Sequence, residues 1–119
     1  MTSSDQSLDT TMKHRYRNHT CDDLRPNHIG ETVRVAGWIH RVRDHGGIVF
    51  VDLRDHYGIT QVVIHPDRSF YDEFNALHLE SVVSVTGEVI ERDAETRNPK
   101  LNTGLVEVVA ESLEVLSTA

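Results

Sequence analysis

The sequence predicts an all-β domain that contains one helix. Short runs alternate β-branched and other apolar residues with polar ones, which is the period of a half-buried strand. Glycine-containing turns separate the first three runs, and the apolar spacing lengthens to that of a helix between the third and the fourth. With 119 residues, 38% of them hydrophobic and 26% charged, the chain is long enough for one domain with one modest core.

The first half of the chain is predicted to form three consecutive strands. They cover residues 32–43, 48–55 and 59–64, and turns at residues 44–47 and 56–58 join them. Gly37 interrupts the first run, and a glycine inside a strand indicates a bulge or a sharp bend.

A helix and two more strands are predicted to follow. Phe70, Phe74 and Leu77 recur at the spacing of one helical face, with Asp67 or Ser69 as the expected cap. Strand alternation returns at residues 81–92 and 104–110, on either side of a polar loop, and residues 112–117 extend or trail the last strand.

Five strands with a helix between the third and the fourth match the OB-fold, a Greek-key barrel. An open five-stranded sheet with a covering helix is the alternative. The bend expected at Gly37 favours the barrel, because a closing strand needs such a corner.

Composition excludes several protein classes. No apolar run approaches the roughly 20 residues of a membrane helix, and no signal-peptide stretch opens the chain. Cys21 is the only cysteine, so no internal disulfide can form and a cytoplasmic location is expected. The polar residues 1–12 are expected to be a disordered tail before a folded domain at residues 13–119. The eight histidines lack the spacing of a zinc finger or zincin, so no metal site is expected.

The net charge of −7 is unevenly distributed along the chain. Residues 13–43 hold seven bases and three acids, whereas residues 44–119 hold five bases and fourteen acids. Such a basic region is either a solvated face or the binding site for a polyanion, and an acidic remainder would repel polyanions that miss the site.

Strand parity and the second turn predict a specific pair of side chains. Phe50 and Asp52 share the face that should lie outside the barrel, and Gln61 is the polar member of the next strand. A two-residue turn between Asp55 and Gly58 places Gln61 opposite Asp52, with Phe50 as its diagonal neighbour. A three-residue turn would put Phe50 and Gln61 on opposite faces.

An exposed aromatic ring beside an amide suits recognition of single-stranded RNA. Phe50 could stack on a base, worth about 1–3 kcal/mol, and the Gln61 amide could read a base edge. Arg41 and Arg43 stand at the mouth of the first turn, where they could hold phosphates or an outer base, and His45 belongs either to this edge or to plain surface. Taken alone, Phe50 also fits a core position, and Gln61 also fits a solvated position on a strand.

Four stretches match the pattern of a known family. They are HRYRNHTCDDL, GETVRVAGWIHRVRDHGGIVFVDLRDHYGITQVV, SVTGEVIERD and NPKLNTGLVEV. From about His14 onward the chain resembles the N-terminal anticodon-binding domain of bacterial-type aspartyl-tRNA synthetase. Asparaginyl and lysyl enzymes share a looser version of the pattern.

The resemblance implies a role for each matching residue. Phe50 stacks on an anticodon base, Gln61 reads the central uridine, and Arg43 contacts the anticodon from the first hairpin. His45 at the hairpin tip implies the relaxed type of enzyme, which also accepts the asparagine tRNA.

Arg92 and Glu107 match polar residues near the outer anticodon bases. Reasoning from the residues alone also allows Glu107 a simple outward strand position, and Arg92 an ion pair with Glu91 or Asp93.

The resemblance also implies a larger parent enzyme. Its partner is the anticodon stem-loop of tRNA, and a class II catalytic domain, absent from these 119 residues, would use ATP and Mg²⁺ to charge the tRNA with aspartate. The fragment itself is then non-catalytic, without a cofactor of its own, and the parent is a homodimer. Val42 interrupts the basic run that relatives often carry, so the isolated domain should bind weakly and salt-sensitively. The alternatives are a standalone single-strand-binding module and a protein-interaction OB module.

Overall fold

The computed structural model describes residues 17–119, within which the chain forms five strands and two short helices. In chain order these are a 3-10 helix at Pro26–His28, β1 at Thr32–His45, β2 at Ile48–Arg54, β3 at Ile59–Ile64, α1 at Tyr71–Asn75, β4 at Val82–Glu91 and β5 at Val106–Ser117. The predicted order of three strands, a helix and two strands is confirmed. The tail expected at residues 1–12 lies outside the described residues.

The strands close into a barrel in the order β1-β2-β3-β5-β4. Neighbouring strands are antiparallel except β3 and β5, which run parallel and pair Val62 with Val108 and Val63 with Val109. This topology confirms the OB-fold, and the alternative of an open sheet with a covering helix was wrong. Closure also removes the open sheet edges that could pair with another chain.

β1 serves two partners and changes from β4 to β2 at Trp38, which pairs with both. Gly37 permits the change, because a Cβ at this position would lie 2.2 Å from the backbone oxygen of Arg54. The pairing irregularity itself falls between Ile39 and Arg41, so of the two possibilities predicted at Gly37, a bulge or a sharp bend, the bulge was wrong. The glycine is required for the close approach of two strands.

Aliphatic side chains from all five strands fill the barrel. On β2, Val49, Val51 and Leu53 point inward and are at most 1% exposed, which confirms the predicted strand parity. Phe70 and Phe74, at the start of and within α1, pack into the same core. The inward face of β2 therefore packs in the core, and only its outer face is available for binding.

α1 is shorter than the apolar spacing predicted and spans five residues. Its N-cap is Phe70, without a side-chain cap bond, so the caps predicted at Asp67 and Ser69 were wrong. Burial of Phe70 and Phe74 holds the helix in place instead, since so short a helix is unstable alone. Among the described residues, no helix has the length and apolar character that crossing a membrane requires.

Two strands run further than predicted. β1 reaches His45, which carries the first hairpin two residues closer to its tip. β5 continues to Ser117, and its last residues pair with the start of β4. Residues 112–117 thus extend the fifth strand, one of the two possibilities allowed by the sequence.

Candidate nucleic-acid interface

The pairing of β2 with β3 sets the geometry of the outer face. Asp52 lies opposite Gln61, and the N–H of Asp55 donates to the carbonyl of Gly58 at 3.0 Å. The two-residue turn is therefore confirmed. Phe50, two residues along β2 from Asp52, lies on the same face as Gln61.

An open cleft of about 410 Å³ lies on this face. Its lining residues are Arg41, Arg43, His45, Phe50, Asp52, Gln61, Arg92, Glu95, Thr96, Arg97, Asn98 and Leu101. The four arginines and two acids give the lining a formal charge of +2, whereas the whole chain carries −7. Six of the seven residues singled out from the sequence line this cleft, and the seventh, Glu107, contacts one of them.

Gln61 lies at the centre of a hydrogen-bonded cluster on this face. Its Oε1 accepts bonds from Nη2 of Arg43 at 2.9 Å and from Nη1 of Arg92 at 3.4 Å. Its Nε2 donates to Oε1 of Glu107 at 2.8 Å. These four residues, the Gln61 cluster, leave the glutamine 0% exposed, so the expectation of an exposed amide was wrong although its position outside the barrel was right.

Arg92 is buried, and its guanidinium points toward the β4–β5 loop and β5 rather than toward a neighbouring acid. Nε donates to the carbonyl of Val106 at 2.8 Å, and Nη1 donates to the carbonyl of Thr96 at 2.9 Å. The ion pair suggested with Glu91 or Asp93 was wrong, and Glu91 pairs with another arginine of the loop. Nη2 of Arg92 is buried without a hydrogen-bond partner in the described part of the chain.

Glu107 also points away from the barrel core, between the core residues Val106 and Val108, as an outward strand position requires. It is nevertheless buried, at 7% exposure, so it is not the simple solvated residue that the sequence allowed. Burial raises the pKa of its carboxyl group, against the opposing effects of the bond from Gln61 and the charge of Arg92. Burial likewise lowers the pKa of the Arg92 guanidinium, although Glu107 counteracts this. Because these charges share one poorly solvated site, the cluster is sensitive to any new charge brought beside it.

Phe50 is half-buried and meets the His45 ring edge to face, with ring centroids 5.3 Å apart. The hairpin that carries both rings is fixed at its tip. Tyr71 of α1 donates its hydroxyl to the carbonyl of Gly47 at 2.6 Å, and the N–H of Gly47 donates to Asp44 Oδ1 at 2.8 Å. The helix thereby positions the tip of the β1–β2 hairpin beside the cleft.

The β4–β5 loop supplies cleft residues that sequence reasoning missed, among them Thr96, Arg97 and Asn98. Arg97 pairs with Glu91 at 2.5 Å. Gly104 lets the loop fold back, because a Cβ there would lie 1.6 Å from the carbonyl oxygen of Asn98. The signal was available, since the β4–β5 loop is a usual ligand-binding loop of OB-folds.

A second polar cluster lies at the C-terminal end of β2, beside the β2–β3 turn. Asp55 Oδ2 accepts the N–H of Cys21 at 2.9 Å and lies 3.6 Å from Nη1 of Arg17, while Oδ1 accepts two backbone N–H groups of the β2–β3 turn at 2.8 and 3.0 Å. Thr60 donates its hydroxyl to the carbonyl of Cys21 at 2.8 Å. Burial and the Asp55 carboxylate raise the pKa of the Cys21 thiol, so it is a poor nucleophile. We call these four residues the Asp55 cluster.

Three groups with metal-ligand chemistry also come together, within 4.8 Å of one another, at His19, His28 and Glu31. Spacing in the sequence did not reveal this cluster. Nδ1 of His28 accepts the N–H of Arg25 at 3.0 Å, so in the neutral ring the proton resides on Nε2. That leaves His28 without a lone pair for a metal, and the three groups do not suit an ion.

A family model described as an OB-fold nucleic acid binding domain matches residues 33–116. An aspartate–tRNA(Asp/Asn) ligase from Chelativorans sp. (strain BNC1) is 58% identical over 106 residues, which are 89% of this chain and 18% of that relative. The chain thus spans less than a fifth of the length of this curated relative.

Solved structures show the same likeness. The aspartyl-tRNA synthetase from Entamoeba histolytica superposes with a TM-score of 0.74 at 25% identity, over 92% of this chain and 23% of that one. The asparaginyl-tRNA synthetase from Pyrococcus horikoshii, complexed with asparaginyl-adenylate, gives a TM-score of 0.71 at 29% identity, over 85% of this chain and 22% of that one.

Proposed function

We propose, from the premise that the chain belongs to the family of OB-fold nucleic acid binding domains, that it recognises the anticodon loop of tRNA as part of an aspartate–tRNA ligase. The resemblance to the N-terminal domain of aspartyl-tRNA synthetases is confirmed by the relatives. One observation carries the proposal: a positively charged cleft on an acidic chain holds an aromatic ring and an amide in register on two paired strands.

The cleft residues would divide the work of recognition. Phe50 would stack on a splayed base, and Gln61 would read the edge of the central uridine. Arg41 and Arg43 would hold phosphates at the mouth of the cleft. Arg92 carries a buried donor that has no partner among the residues that the structure describes, and an acceptor on the RNA would satisfy it.

The relaxed specificity implied by His45 remains part of the proposal. The curated relatives carry names that include both the aspartate and the asparagine tRNA, and His45 contacts the ring proposed to stack on a base. In the parent enzyme we propose a catalytic domain that uses ATP and Mg²⁺, a homodimer and a cytoplasmic location.

Of the two alternatives, the protein-interaction module predicted no aromatic–amide pair in register, and the pair is present. A standalone single-strand-binding module would want more aromatic and basic residues than the chain holds. The anticodon reading therefore accounts for more of the cleft than either alternative.

The test is binding of the 119-residue chain to three RNA stem-loops at low salt. One carries the anticodon GUC, the second has its central base changed, and the third carries GUU. We expect the central change to weaken binding and the GUU loop to bind comparably to GUC. Equal binding of all three loops, or no binding, would contradict the proposal.

Two substitutions assign the roles. Phe50→Ala should weaken the binding of all three loops by about 1–3 kcal/mol, because stacking on a base does not depend on the RNA sequence. Gln61→Ala should mainly abolish the preference at the central base. Tyr57→Ala is the matched control, since Tyr57 is 61% exposed and does not line the cleft. If Tyr57→Ala weakened binding as much as Phe50→Ala, the cleft would not be the binding site.

A further inference from the structure

The amide proposed to read a base is closed to solvent. Both of its polar atoms are engaged within the Gln61 cluster, and its side chain is 0% exposed. A ligand can therefore reach Gln61 only if one of the partners moves away. This follows from the contacts and holds whatever the ligand is.

Arg43 is the partner best able to move. Its side chain is 32% exposed, whereas Arg92 and Glu107 are 4% and 7% exposed. Arg92 is also tied to two backbone carbonyls, which the fold holds in place. In the described part of the chain, the guanidinium of Arg43 bonds only to side chains, namely Gln61 at 2.9 Å and Asp52 at 3.4 Å.

Asp52 is placed to control this arginine. It lies directly opposite Gln61 in the β2–β3 ladder, and Oδ1 approaches the same Nη2 of Arg43 that donates to Gln61. An ion pair that is partly exposed to solvent, as this one is, is weak, so an RNA phosphate, which is also an anion, can replace the carboxylate.

We propose that Asp52 is a positioning residue that holds Arg43 over Gln61, and that Gln61 becomes accessible only when RNA replaces Asp52 as the anionic partner of Arg43. The inference deepens the proposed function and rests on it for the identity of the ligand. Arrival of the RNA backbone at Arg43 is then linked to exposure of the amide that reads the base. A polyanion that does not engage Arg43 leaves the amide covered.

The first experiment needs no RNA. Solvent exchange of the Arg43 guanidinium protons, which bond to Asp52 and Gln61, is measured by NMR in the wild-type chain, Asp52→Asn and Glu95→Gln. Glu95 lines the same cleft and carries the same charge, but it is not a partner of Arg43. We expect exchange to be about two- to fivefold faster in D52N, because the pair that holds Arg43 is weakened, and unchanged in E95Q.

The second experiment measures affinity for the GUC stem-loop and for the loop with a changed central base. Both D52N and E95Q remove one negative charge, which should raise the affinity for the two RNA loops equally. Only D52N should raise the affinity for the GUC loop further, by about two- to fivefold, because only that loop uses the uncovered amide.

The two experiments separate the two proposals. Unchanged exchange of the Arg43 guanidinium protons in D52N, or identical effects of D52N and E95Q on both loops, would overturn the role of Asp52. Faster exchange in D52N with no binding of either loop by the wild-type chain would instead overturn the proposed function and leave the hold of Asp52 on Arg43 intact.

Discussion

Two clusters of buried polar groups lie along the β2–β3 pair, the Gln61 cluster near its middle and the Asp55 cluster at its turn, and they are built differently. In the Asp55 cluster a carboxylate accepts three backbone N–H groups. In the Gln61 cluster an amide is held by three other side chains. Asp55 and Gln61 are both nearly inaccessible to solvent, at 8% and 0% exposure, so burial does not distinguish them.

The type of partner does distinguish them. Backbone donors are fixed by the fold, so Asp55 can lose its partners only if the turn or the Cys21 segment opens. Side-chain partners can rotate to other groups while the barrel stays intact. Within residues 17–119, the Gln61 cluster also contains a donor without a partner, on Arg92, whereas each oxygen of Asp55 is bonded. We infer that the Asp55 cluster serves stability and that the Gln61 cluster serves recognition.

The largest expected effect is on the Asp55 cluster. Asp55→Asn keeps the size of the side chain but removes the charge and one acceptor, leaving a buried backbone N–H facing an amide donor. The free energy of unfolding should fall by roughly 2 kcal/mol. Urea denaturation measures it, and binding of RNA by the folded fraction should not change.

A loss below about 0.5 kcal/mol in D55N would show that water or a neighbouring group replaces the carboxylate. A loss of RNA affinity with stability intact would contradict the division between the two clusters more directly. It would mean that the β2–β3 turn takes part in binding.

For the Gln61 cluster, the sequence predicted the face on which the residues lie but not the burial of the amide. Alternation and the two-residue turn were enough to place Phe50, Asp52 and Gln61 on one outer face, because strand parity has a period of two and a hairpin turn fixes the register. The same reasoning could not foresee burial of Gln61. That burial comes from Arg92 and Glu107, which are 31 and 46 residues away along the chain.

The Asp55 cluster was not predicted at all. It depends on docking of the segment around Cys21 onto the end of β2, and no local pattern encodes that contact. Helix length failed for a similar reason. The spacing of Phe70 and Phe74 is correct for a helical face, but the helix ends at Asn75, before Leu77, and periodicity alone does not mark that end.

A smaller effect on stability is expected for the Gln61 cluster. Gln61→Met keeps the length of the side chain and removes its hydrogen bonds. We expect the free energy of unfolding to fall by about 1 kcal/mol, because Arg92 keeps its backbone carbonyls and Arg43 is free to turn to solvent or to Asp52. Glu107 loses the bond from Gln61, but burial already raises the pKa of its carboxyl group, so protonation can remove the unpaired charge.

The same urea experiment compares Q61M with D55N, and the RNA stem-loops give the second measurement. Q61M should lose the preference for the central base while remaining the more stable of the two variants. If Q61M were destabilised as strongly as D55N, the Gln61 cluster would stabilise the fold as much as the Asp55 cluster does. The distinction between a cluster for stability and a cluster for recognition would then fail.

The smallest expected effect is the pH dependence that Glu107 gives to stability. Burial raises its pKa in the folded state above that of the unfolded chain, so the folded state binds the proton more tightly. The stabilising contribution of this proton is fully present below the unfolded pKa, about 4.3, and is lost as pH rises through the folded pKa. Glu107→Gln removes the titration but keeps an acceptor for Gln61.

The difference in the free energy of unfolding, E107Q minus wild type, should therefore grow as the pH rises from about 4 through the folded pKa and then become constant. Glu88→Gln is the matched control, because Glu88 is an exposed residue of β4, so its difference should show no such rise. A difference that fell with rising pH would mean that Gln61 and Arg92 stabilise the carboxylate more than burial destabilises it. The Gln61 cluster would then be held as firmly by charge as the Asp55 cluster is held by the backbone.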